Sequence, residues 1–321
     1  MTTRRTTALM MAAALVGGGA APAWSFGRGH KGTSGAQFLK LAPGARPASM
    51  GEAFGGVADD VHAVYYNPAG LGHLKRLEAA AMHNSHFQGI RHNFGAIAVP
   101  VLSWVDTRRQ RNALGVFAFS LTSLSVGDIE RRGLIETDQP EGTFGASDLA
   151  YTLAYGRAFS EEWSAGVAGK LIDQEIDSVG ARAFALDAGV LRRRGRLSAG
   201  GGVRNLGGKV RFRSEADPLP FMFYAGAGFR PGPRWLAAVE IRVPRDDAVR
   251  LGLGTEYRKR FGEVLSGSVR GGYNASNTDA DGFDGVTFGA GVGYGRLDFD
   301  FAWIPFGELG NTFRYCVLVR F

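Results

Sequence analysis

Six histidines and one cysteine are the side chains that could serve metal or nucleophilic chemistry in this 321-residue sequence. The histidines all lie within the first 92 positions: His30, His62, His73, His83, His86 and His92. His83 and His86 have a spacing that a metal site could use, but on a β-strand two residues three apart face opposite sides. Cys316 stands alone, which excludes an internal disulfide and a cysteine cluster around a metal. The sequence therefore predicts no metal site.

Three further patterns are incomplete as ligand sites. The segment Asp279-Ala280-Asp281-Gly282-Phe283-Asp284 lacks the full calcium-loop pattern, and we interpret it as a polar outer loop. Gly200-Gly201-Gly202 and the alternating glycines at 289–293 lie inside strand patterns, so they predict no phosphate site. A barrel lipase would need a Ser/His pair, and no histidine follows His92. We therefore predict that the protein is not an enzyme and carries no cofactor.

Composition narrows the class of protein further. A hydrophobic fraction of 45% is too high for a disordered chain, and 48 glycines are an unusual number. The net charge is +7, but the basic residues fall at short turns rather than on an aromatic-lined face, so we predict no nucleic-acid partner. No apolar run long enough for a membrane-spanning helix follows residue 25.

Residues 1–25 have the features of a secretory signal peptide. Arg4 and Arg5 form a short basic start, and the stretch 8–21 is apolar and uncharged. Ala21-Pro22-Ala23 then matches the small residues that signal peptidase cleaves after, and Ala23-Trp24-Ser25 is a second candidate site. We predict that this segment is removed and that the rest of the protein is exported.

Beyond about residue 76, bulky apolar residues alternate with glycines and polar residues, which indicates strands whose two faces meet different surroundings. Phe299 and Phe301, for example, face away from Asp298 and Asp300. A soluble sandwich also alternates, but its water-facing side has little reason to be dense in glycine. In a transmembrane barrel the apolar face meets lipid, and small or polar residues line the lumen. The pattern favours a barrel.

Fourteen segments carry this pattern, an even number as expected for a closed bacterial barrel. We predict strands at 76–84, 90–100, 112–124, 146–158, 162–177, 180–193, 196–206, 219–230, 234–244, 247–258, 264–275, 284–294, 296–304 and 311–321. Short, arginine-rich turns fall on one side, and the long connections 125–145, 207–218 and 276–283, which carry carboxylates, fall on the other. The fold class predicted for residues 76–321 is an all-β, transmembrane antiparallel β-barrel with its long loops outside the cell.

The last strand resembles an outer-membrane insertion signal. Phe313, Tyr315, Val317, Val319 and Phe321 alternate with other residues, and the sequence stops at the aromatic. A final core strand would explain the alternation but not the terminal aromatic. We expect outer-membrane lipids and the barrel assembly machinery as partners, and the cell outer membrane as the location.

Residues 26–75 break the alternation. Glycine and proline interrupt this stretch too often for long elements, yet apolar residues such as Phe38, Met50, Phe54 and Val64 need burial. Fourteen strands enclose a lumen too wide for strand side chains alone to fill. We predict that residues 26–75 form a plug, or hatch, in the lumen.

Three blocks of this region carry a family resemblance. Gly44-Ala45-Arg46-Pro47-Ala48-Ser49-Met50-Gly51-Glu52-Ala53-Phe54, Ala58-Asp59-Asp60 and Tyr65-Tyr66-Asn67-Pro68-Ala69-Gly70-Leu71 resemble the N-terminal region of the PorV/PorQ family, within the FadL-like outer-membrane barrels. The resemblance extends to Arg204-Asn205-Leu206-Gly207 and to residues 304–315. It implies a fourteen-stranded barrel with an N-terminal hatch and no enzyme activity. It also implies a hatch or gating motif made of Asn67, Pro68, Ala69, Gly70, Asp59 and Asp60.

The resemblance leaves two functions open. FadL-like relatives pass hydrophobic molecules through the barrel, which would make the hatch a gate for a hydrophobic small molecule. PorV-like relatives serve the type IX secretion system, which would make this protein a non-transporting partner of secretion-system and cargo proteins. In that case the outer loops 125–145 and 207–218 would bind the cargo.

Overall fold

The structure, a computed structural model, describes residues 31–86, 89–101, 114–133, 138–275, 285–306 and 310–321. The predicted signal peptide, His30, the loop 276–283 and the Asp279–Asp284 segment lie outside these residues. None of the helices in the described ranges is long and apolar enough to cross a membrane.

Sixteen strands occur along the described chain. They are β1 (Glu78–Ser85), β2 (Arg91–Pro100), β3 (Val116–Arg131), β4 (Gly142–Ala158), β5 (Trp163–Ile176), β6 (Val179–Arg194), β7 (Leu197–Gly207), β8 (Lys209–Phe212), β9 (Glu215–Pro218), β10 (Met222–Gly232), β11 (Trp235–Pro244), β12 (Arg250–Phe261), β13 (Leu265–Asn274), β14 (Val286–Tyr294), β15 (Leu297–Pro305) and β16 (Asn311–Arg320).

Fourteen of these strands form a closed antiparallel barrel, which confirms the predicted fold class. Each strand pairs with the next along the chain, except that β7 pairs with β10 because β8 and β9 form a separate hairpin. The barrel closes where β1 pairs with β16, in a register that runs from Glu78 opposite Arg320 to Ser85 opposite Phe313.

The two faces of the wall differ as the alternation predicts. On β16, Phe313, Tyr315 and Val317 are exposed on the outside, whereas Arg314 and Cys316 are buried towards the lumen. An apolar outer face and a polar inner face are the arrangement of a barrel that spans a membrane.

The segment from Gly35 to Leu74, called the plug below, fills the lumen. It contains two single-turn helices, α1 (Ala45–Ala48) and α2 (Ala63–Tyr66), and two 3-10 turns, Gln37–Lys40 and Pro68–His73. Its apolar residues Met50, Phe54, Val57, Val64 and Leu71 are fully buried. The prediction of a plug in the lumen is therefore confirmed.

Glycines on the inner face of the wall let the plug backbone touch the strand backbone. A Cβ added at Gly272 would lie 2.2 Å from the backbone nitrogen of Gly51, and one at Gly254 would lie 2.4 Å from the carbonyl oxygen of Met50. Any side chain at these positions would overlap the plug. Close approach of two backbones thus explains why the inner face of the barrel is dense in glycine.

Two predicted loops contain strand structure that the sequence analysis missed. β3 and β4 extend into the predicted loop 125–145, because a bulge between Val126 and Ile129 shifts the register while the pairing continues. The alternation is broken at that bulge, so the sequence pattern appeared to end there. The predicted loop 207–218 holds the hairpin β8–β9, whose four-residue strands are too short to show a period.

We predict that Gly272→Ala destabilises the protein by about 1–3 kcal/mol, because the added methyl group overpacks the contact with Gly51. The measurement is the midpoint of urea unfolding in detergent. The control is Gly271→Ala on the same strand, since a Cβ at Gly271 meets nothing within 4 Å. An equal loss of stability in both variants would contradict this account of the lumenal glycines.

Candidate functional site

The contact between the plug and the wall is the candidate functional site, because the predicted gating residues all lie there. The barrel has a loop end, marked by the hairpin β8–β9 and the connection 245–249, and a turn end, marked by the connections 159–162 and 195–196. The plug enters at the loop end, where the backbone nitrogen of Gly35 donates to the carbonyl oxygen of Pro218 at 2.9 Å.

Both ends of the plug are held by polar contacts with the wall. At the loop end, Lys40 and Gln37 each donate to the Asp246 carboxylate at 2.7 Å. At the turn end, Arg230 pairs with Asp59 at 2.7 Å, and Arg193 donates to the carbonyl oxygen of Val57 at 2.9 Å. The plug is therefore fixed to the wall at both ends.

A buried cluster of charges holds the middle of the plug. Arg46 contacts Asp59 at 2.6 Å, Asp60 at 2.9 Å and Glu256 of β12 at 2.9 Å. On the wall, Arg270 contacts Glu256 at 2.6 Å. Because an unpaired charge in the interior is costly, each of these groups depends on the others.

The same cluster sets the protonation of the plug carboxylates. Burial disfavours the charged form of Asp59, but the Arg46 guanidinium outweighs it and lowers the pKa of that carboxyl below its usual range. The structure thus brings the predicted residues Asp59 and Asp60 together around Arg46. Arg46 lies within the family motif, but the sequence alone does not indicate its role, and no local pattern points to Glu256 or Arg270.

The Asn67-Pro68-Ala69-Gly70 motif is the part of the plug that packs against the inner face of β4, β5 and β6. The Asn67 side-chain oxygen accepts a hydrogen bond from the backbone nitrogen of Ala69 at 3.1 Å. Its amide nitrogen donates to the carbonyl oxygens of Gly55 at 2.8 Å and Val190 at 3.1 Å. Pro68 begins the 3-10 turn that follows, where its missing N–H is not needed. Asn67 is therefore a side chain that fastens two parts of the plug to the wall.

The predicted insertion-signal residues lie on a different surface. Phe313, Tyr315, Val317 and Phe321 are exposed on the outside of the barrel and Val319 is half-buried. Their recognition by the assembly machinery stays a prediction.

A bulge interrupts the wall between β6 and β7, at the Arg204-Asn205-Leu206-Gly207 block. Asn205 has a left-handed backbone with φ of 58°, and the register shifts between Leu186 and Ala188. The Asp187 carboxylate accepts from the backbone nitrogen of Asn205 at 2.8 Å, and Lys170 donates to Asp187 and to the Asn205 side-chain oxygen, both at 2.7 Å. Side-chain hydrogen bonds replace backbone hydrogen bonds here, so the pairing of β6 and β7 is irregular at this point.

Arg204, next to the bulge, ties the wall to the aromatic part of the plug. Its guanidinium lies 5.3 Å from the ring centre of Tyr65, 5.5 Å from that of Tyr66 and 4.3 Å from that of Tyr224. It also pairs with Glu240 at 3.1 Å. Cation–π contacts of this kind are strongest when desolvated, as they are here.

An apolar recess lies on the outside of the wall, over the bulge. Its volume is about 560 Å³. The large apolar side chains that line it are Phe119, Tyr151, Leu153, Leu171, Phe184, Leu186 and Leu206.

A narrow void lies on the lumenal side of the same strands, against Phe38, Leu39 and Tyr65 of the plug. Thr152 and Lys170 line both the recess and the void. A single layer of wall at β4 and β5 therefore separates the outer recess from the plug.

We predict that Asn67→Ala destabilises the protein by about 1–3 kcal/mol, because it leaves buried carbonyl and N–H groups without partners. Urea unfolding in detergent measures this loss. The control is Asn93→Ala, whose hydrogen-bond partner His83 is exposed, and which we expect to change stability by less than about 0.5 kcal/mol. A result near zero for Asn67→Ala would mean that the motif does not fasten the plug.

We predict that Asp246→Asn loosens residues 35–41. Hydrogen exchange by mass spectrometry should show about tenfold faster exchange of these amides, the effect of losing about 1.5 kcal/mol of charged hydrogen bonding. The control is Asp247→Asn in the same connection, since Asp247 pairs with Arg250 and not with the plug. Equal exchange in the two variants would contradict the role given to Asp246.

The same contact predicts a pH dependence. Burial alone would raise the pKa of Asp246, but the hydrogen bonds from Lys40 and Gln37 lower it below its usual value. Stabilisation by a carboxylate with a lowered pKa is present above its unfolded pKa of about 3.9 and is lost as the pH falls through the lower folded value. We therefore expect the protection of the amides of residues 35–41, measured against unstructured amides at the same pH, to be constant from pH 5 to 7 and to fall only below about pH 4. A loss of protection already at pH 6 would contradict the role given to the contact of Asp246 with Lys40 and Gln37.

No protein-family model matches the sequence, and no curated protein matches it either. Solved structures do share the fold. The monoaromatic hydrocarbon channel CymD is 10% identical with a TM-score of 0.58, over 88% of this chain and 98% of CymD. The Pseudomonas putida toluene transporter TodX is 9% identical with a TM-score of 0.55, over 85% of this chain and 96% of TodX.

A Pseudomonas aeruginosa FadL homologue is 11% identical with a TM-score of 0.52, over 83% of this chain and 95% of the homologue. At such identities the likeness concerns the fold alone. The chain has the fold of the FadL-like barrels.

Proposed function

We propose that the protein is an outer-membrane barrel through which hydrophobic small molecules pass, with the plug as the gate. The observation that carries this proposal is the apolar recess outside the wall, which shares Thr152 and Lys170 with the void beside the plug. Because the recess lies on the apolar outer face of the wall, an apolar molecule that passes there moves into lipid rather than back into water.

The chemistry of the lumen favours a path through the wall rather than along the barrel axis. The middle of the lumen is occupied by the buried ion pairs around Arg46, and separating them would cost several kcal/mol. The void instead adjoins Phe38 and Leu39, which are apolar. At the bulge, the backbone pairing of β6 and β7 is interrupted, so fewer backbone hydrogen bonds hold the wall closed there than elsewhere, and the buried Lys170–Asp187 ion pair is the contact that opening would have to keep or replace.

The part of the plug that moves is, in this proposal, residues 35–41. Their polar contacts with the wall are those of Lys40 and Gln37 with Asp246 and of Gly35 with Pro218, and the carbonyl oxygen of Leu39 accepts from the Tyr65 hydroxyl of the plug. The remainder of the plug keeps the contacts of Asp59, Asp60 and Asn67 with the wall. These residues then act as the fixed base of the gate.

Relatives in fold support the substrate class. CymD is named a monoaromatic hydrocarbon channel and TodX a toluene transporter. We extend to this chain only the general property of passing apolar molecules.

Location and assembly belong to the same proposal. Residues 1–25 act as an export signal, residues 26–75 form the hatch, and residues 76–321 form the barrel. Lipids of the outer membrane surround the wall. The barrel assembly machinery recognises the last strand through the residues Phe313, Tyr315, Val317, Val319 and Phe321.

A role as a PorV/PorQ-type partner in protein secretion is the second candidate. The observation that favours it is polar strand surface at the loop end, where Arg131 pairs with Asp177 at 2.7 Å and Arg132 pairs with Glu130 at 2.8 Å, all about half-exposed. Such a surface suits protein cargo better than a hydrophobic solute. The barrel would then hold a surface-attachment complex rather than transport a molecule.

The test locks the gate. A Cβ at Gly35 would lie 3.3 Å from the Cβ of Asp217, so Gly35→Cys with Asp217→Cys can form a disulfide between the plug and β9. We expect cells of a deletion strain that produce this variant to take up toluene several-fold more slowly when the disulfide is oxidised than when it is reduced. The control is Arg211→Cys with Ala216→Cys, which links the hairpin to itself at a paired position.

Two outcomes would contradict the transport proposal. One is equal uptake by the oxidised and reduced plug-locked proteins. The other is a deletion strain with normal uptake and a loss of secreted surface proteins, which would support the secretion role instead.

A further inference from the structure

A cluster of soft ligands lies where the barrel closes and is not used by the proposed gate. Met82 of β1 and Cys316 of β16 are register partners, and both side chains are buried in the lumen. His62 of the plug reaches the same place, with Nε2 at 3.6 Å from the Cys316 Sγ. Three segments far apart in sequence therefore meet at one point.

The His62 ring is held in a fixed orientation by Asp60. The Nδ1 atom lies 2.9 Å from the Asp60 Oδ1 atom, and the backbone nitrogen of His62 donates to the same oxygen at 2.9 Å. The ring also stacks on Phe94 with centres 5.7 Å apart. With Nδ1 engaged by a carboxylate, Nε2 is the nitrogen turned towards the sulfur, as in the carboxylate–histidine–metal arrangement of many metal sites.

Gly44 places the Met82 thioether beside this pair. Its backbone nitrogen lies 3.0 Å from the Met82 Sδ, and a Cβ built on Gly44 would lie 2.9 Å from the His62 Nε2. A side chain at residue 44 would therefore occupy the space in front of the imidazole. Met82 and His62 therefore both approach Gly44, and the Cys316 thiol lies against the same imidazole.

The distance between the His62 Nε2 and Cys316 Sγ atoms, 3.6 Å, suits two ligands of one metal ion. Metal–nitrogen and metal–sulfur bonds of about 2.0 and 2.3 Å at a near-tetrahedral angle separate the two ligand atoms by about 3.6 Å. Within the described residues no three His, Cys, Asp or Glu side chains gather as ligands, and the third ligand here is a thioether. Thiolate and thioether sulfurs select soft ions such as Cu(I) over calcium, magnesium or manganese.

We propose that the protein binds one Cu(I) ion between His62, Cys316 and Met82. On binding, the Cys316 thiol gives up its proton to solvent, the His62 Nε2 atom gives up any proton that it carries, and Cu–S and Cu–N bonds form in their place. No change of oxidation state is involved.

The bound ion would join the plug to the first and last strands. His62 belongs to the plug, Met82 to β1 and Cys316 to β16. Because the site is complete only when the plug is seated, binding stabilises the plugged barrel. This inference is independent of the proposed transport route, which uses the contacts of Phe38 and Leu39 with β4 and β5 and the bulge at Asn205.

The first test uses the full-length protein in detergent under reducing conditions. Silver(I), a redox-inert soft ion, and Cu(I) are each added, both to the folded protein and during refolding. We expect one metal ion per chain after desalting. X-ray absorption of the Cu(I) form should show one nitrogen and two sulfur neighbours. Sub-stoichiometric metal, or a spectrum without sulfur, overturns the proposal without any variant.

The second test uses matched variants, with folding checked by heat-dependent migration on gels. We expect Cys316→Ser to weaken silver binding by at least about a hundredfold and Met82→Leu by about tenfold, because each removes a sulfur ligand. Met222→Leu, another buried methionine, and His83→Gln, an exposed histidine, should bind as the unmodified protein does. Unchanged binding in folded Cys316→Ser overturns the site.

Discussion

The contact between the plug backbone and the glycines of the lumen is the constraint on which the rest of the structure depends. A fourteen-stranded wall has a lumen that strand side chains do not fill, and the plug fills it by bringing its backbone close to the wall at glycine positions. Gly254 and Gly272 allow the backbone around Met50 to approach the strands directly. This contact fixes the depth of the plug, and the position of every polar group on the plug follows from it.

The charges of the lumen are a consequence of that close seating. Because the plug excludes solvent from the middle of the barrel, Arg46 and Glu256 have to satisfy each other and their neighbours. The paired charges in turn give the plug one orientation, since any rotation would leave a buried charge without a partner. Packing and electrostatics therefore specify the same arrangement.

The wall is not equally regular everywhere. Most strand pairs run in continuous register, but the bulge at Asn205 exchanges backbone hydrogen bonds for contacts of Lys170 and Asp187. The apolar recess lies over this irregular part, and Phe38 and Leu39 of the plug lie behind it.

The class of this protein and the order of its parts follow from local patterns in the sequence. Alternation with period two identified fourteen barrel strands to within a few residues, except at β3 and β4, because lipid outside and a polar lumen impose opposite demands on successive side chains. Proline and glycine punctuation together with buried apolar residues identified the plug. The family motif pointed to Asn67, Asp59 and Asp60 as plug residues of interest.

The contacts between residues distant in sequence are visible in the folded barrel alone. Arg46 and Glu256 are 210 positions apart, and His62 and Cys316 are 254 apart, so no local pattern could pair them. The bulges at Val126 and Asn205 were hidden for a related reason, since a bulge breaks the alternation while the strand pairing continues. Periodicity records which way a side chain faces, whereas contacts across the lumen depend on the closure of the barrel and the depth of the plug.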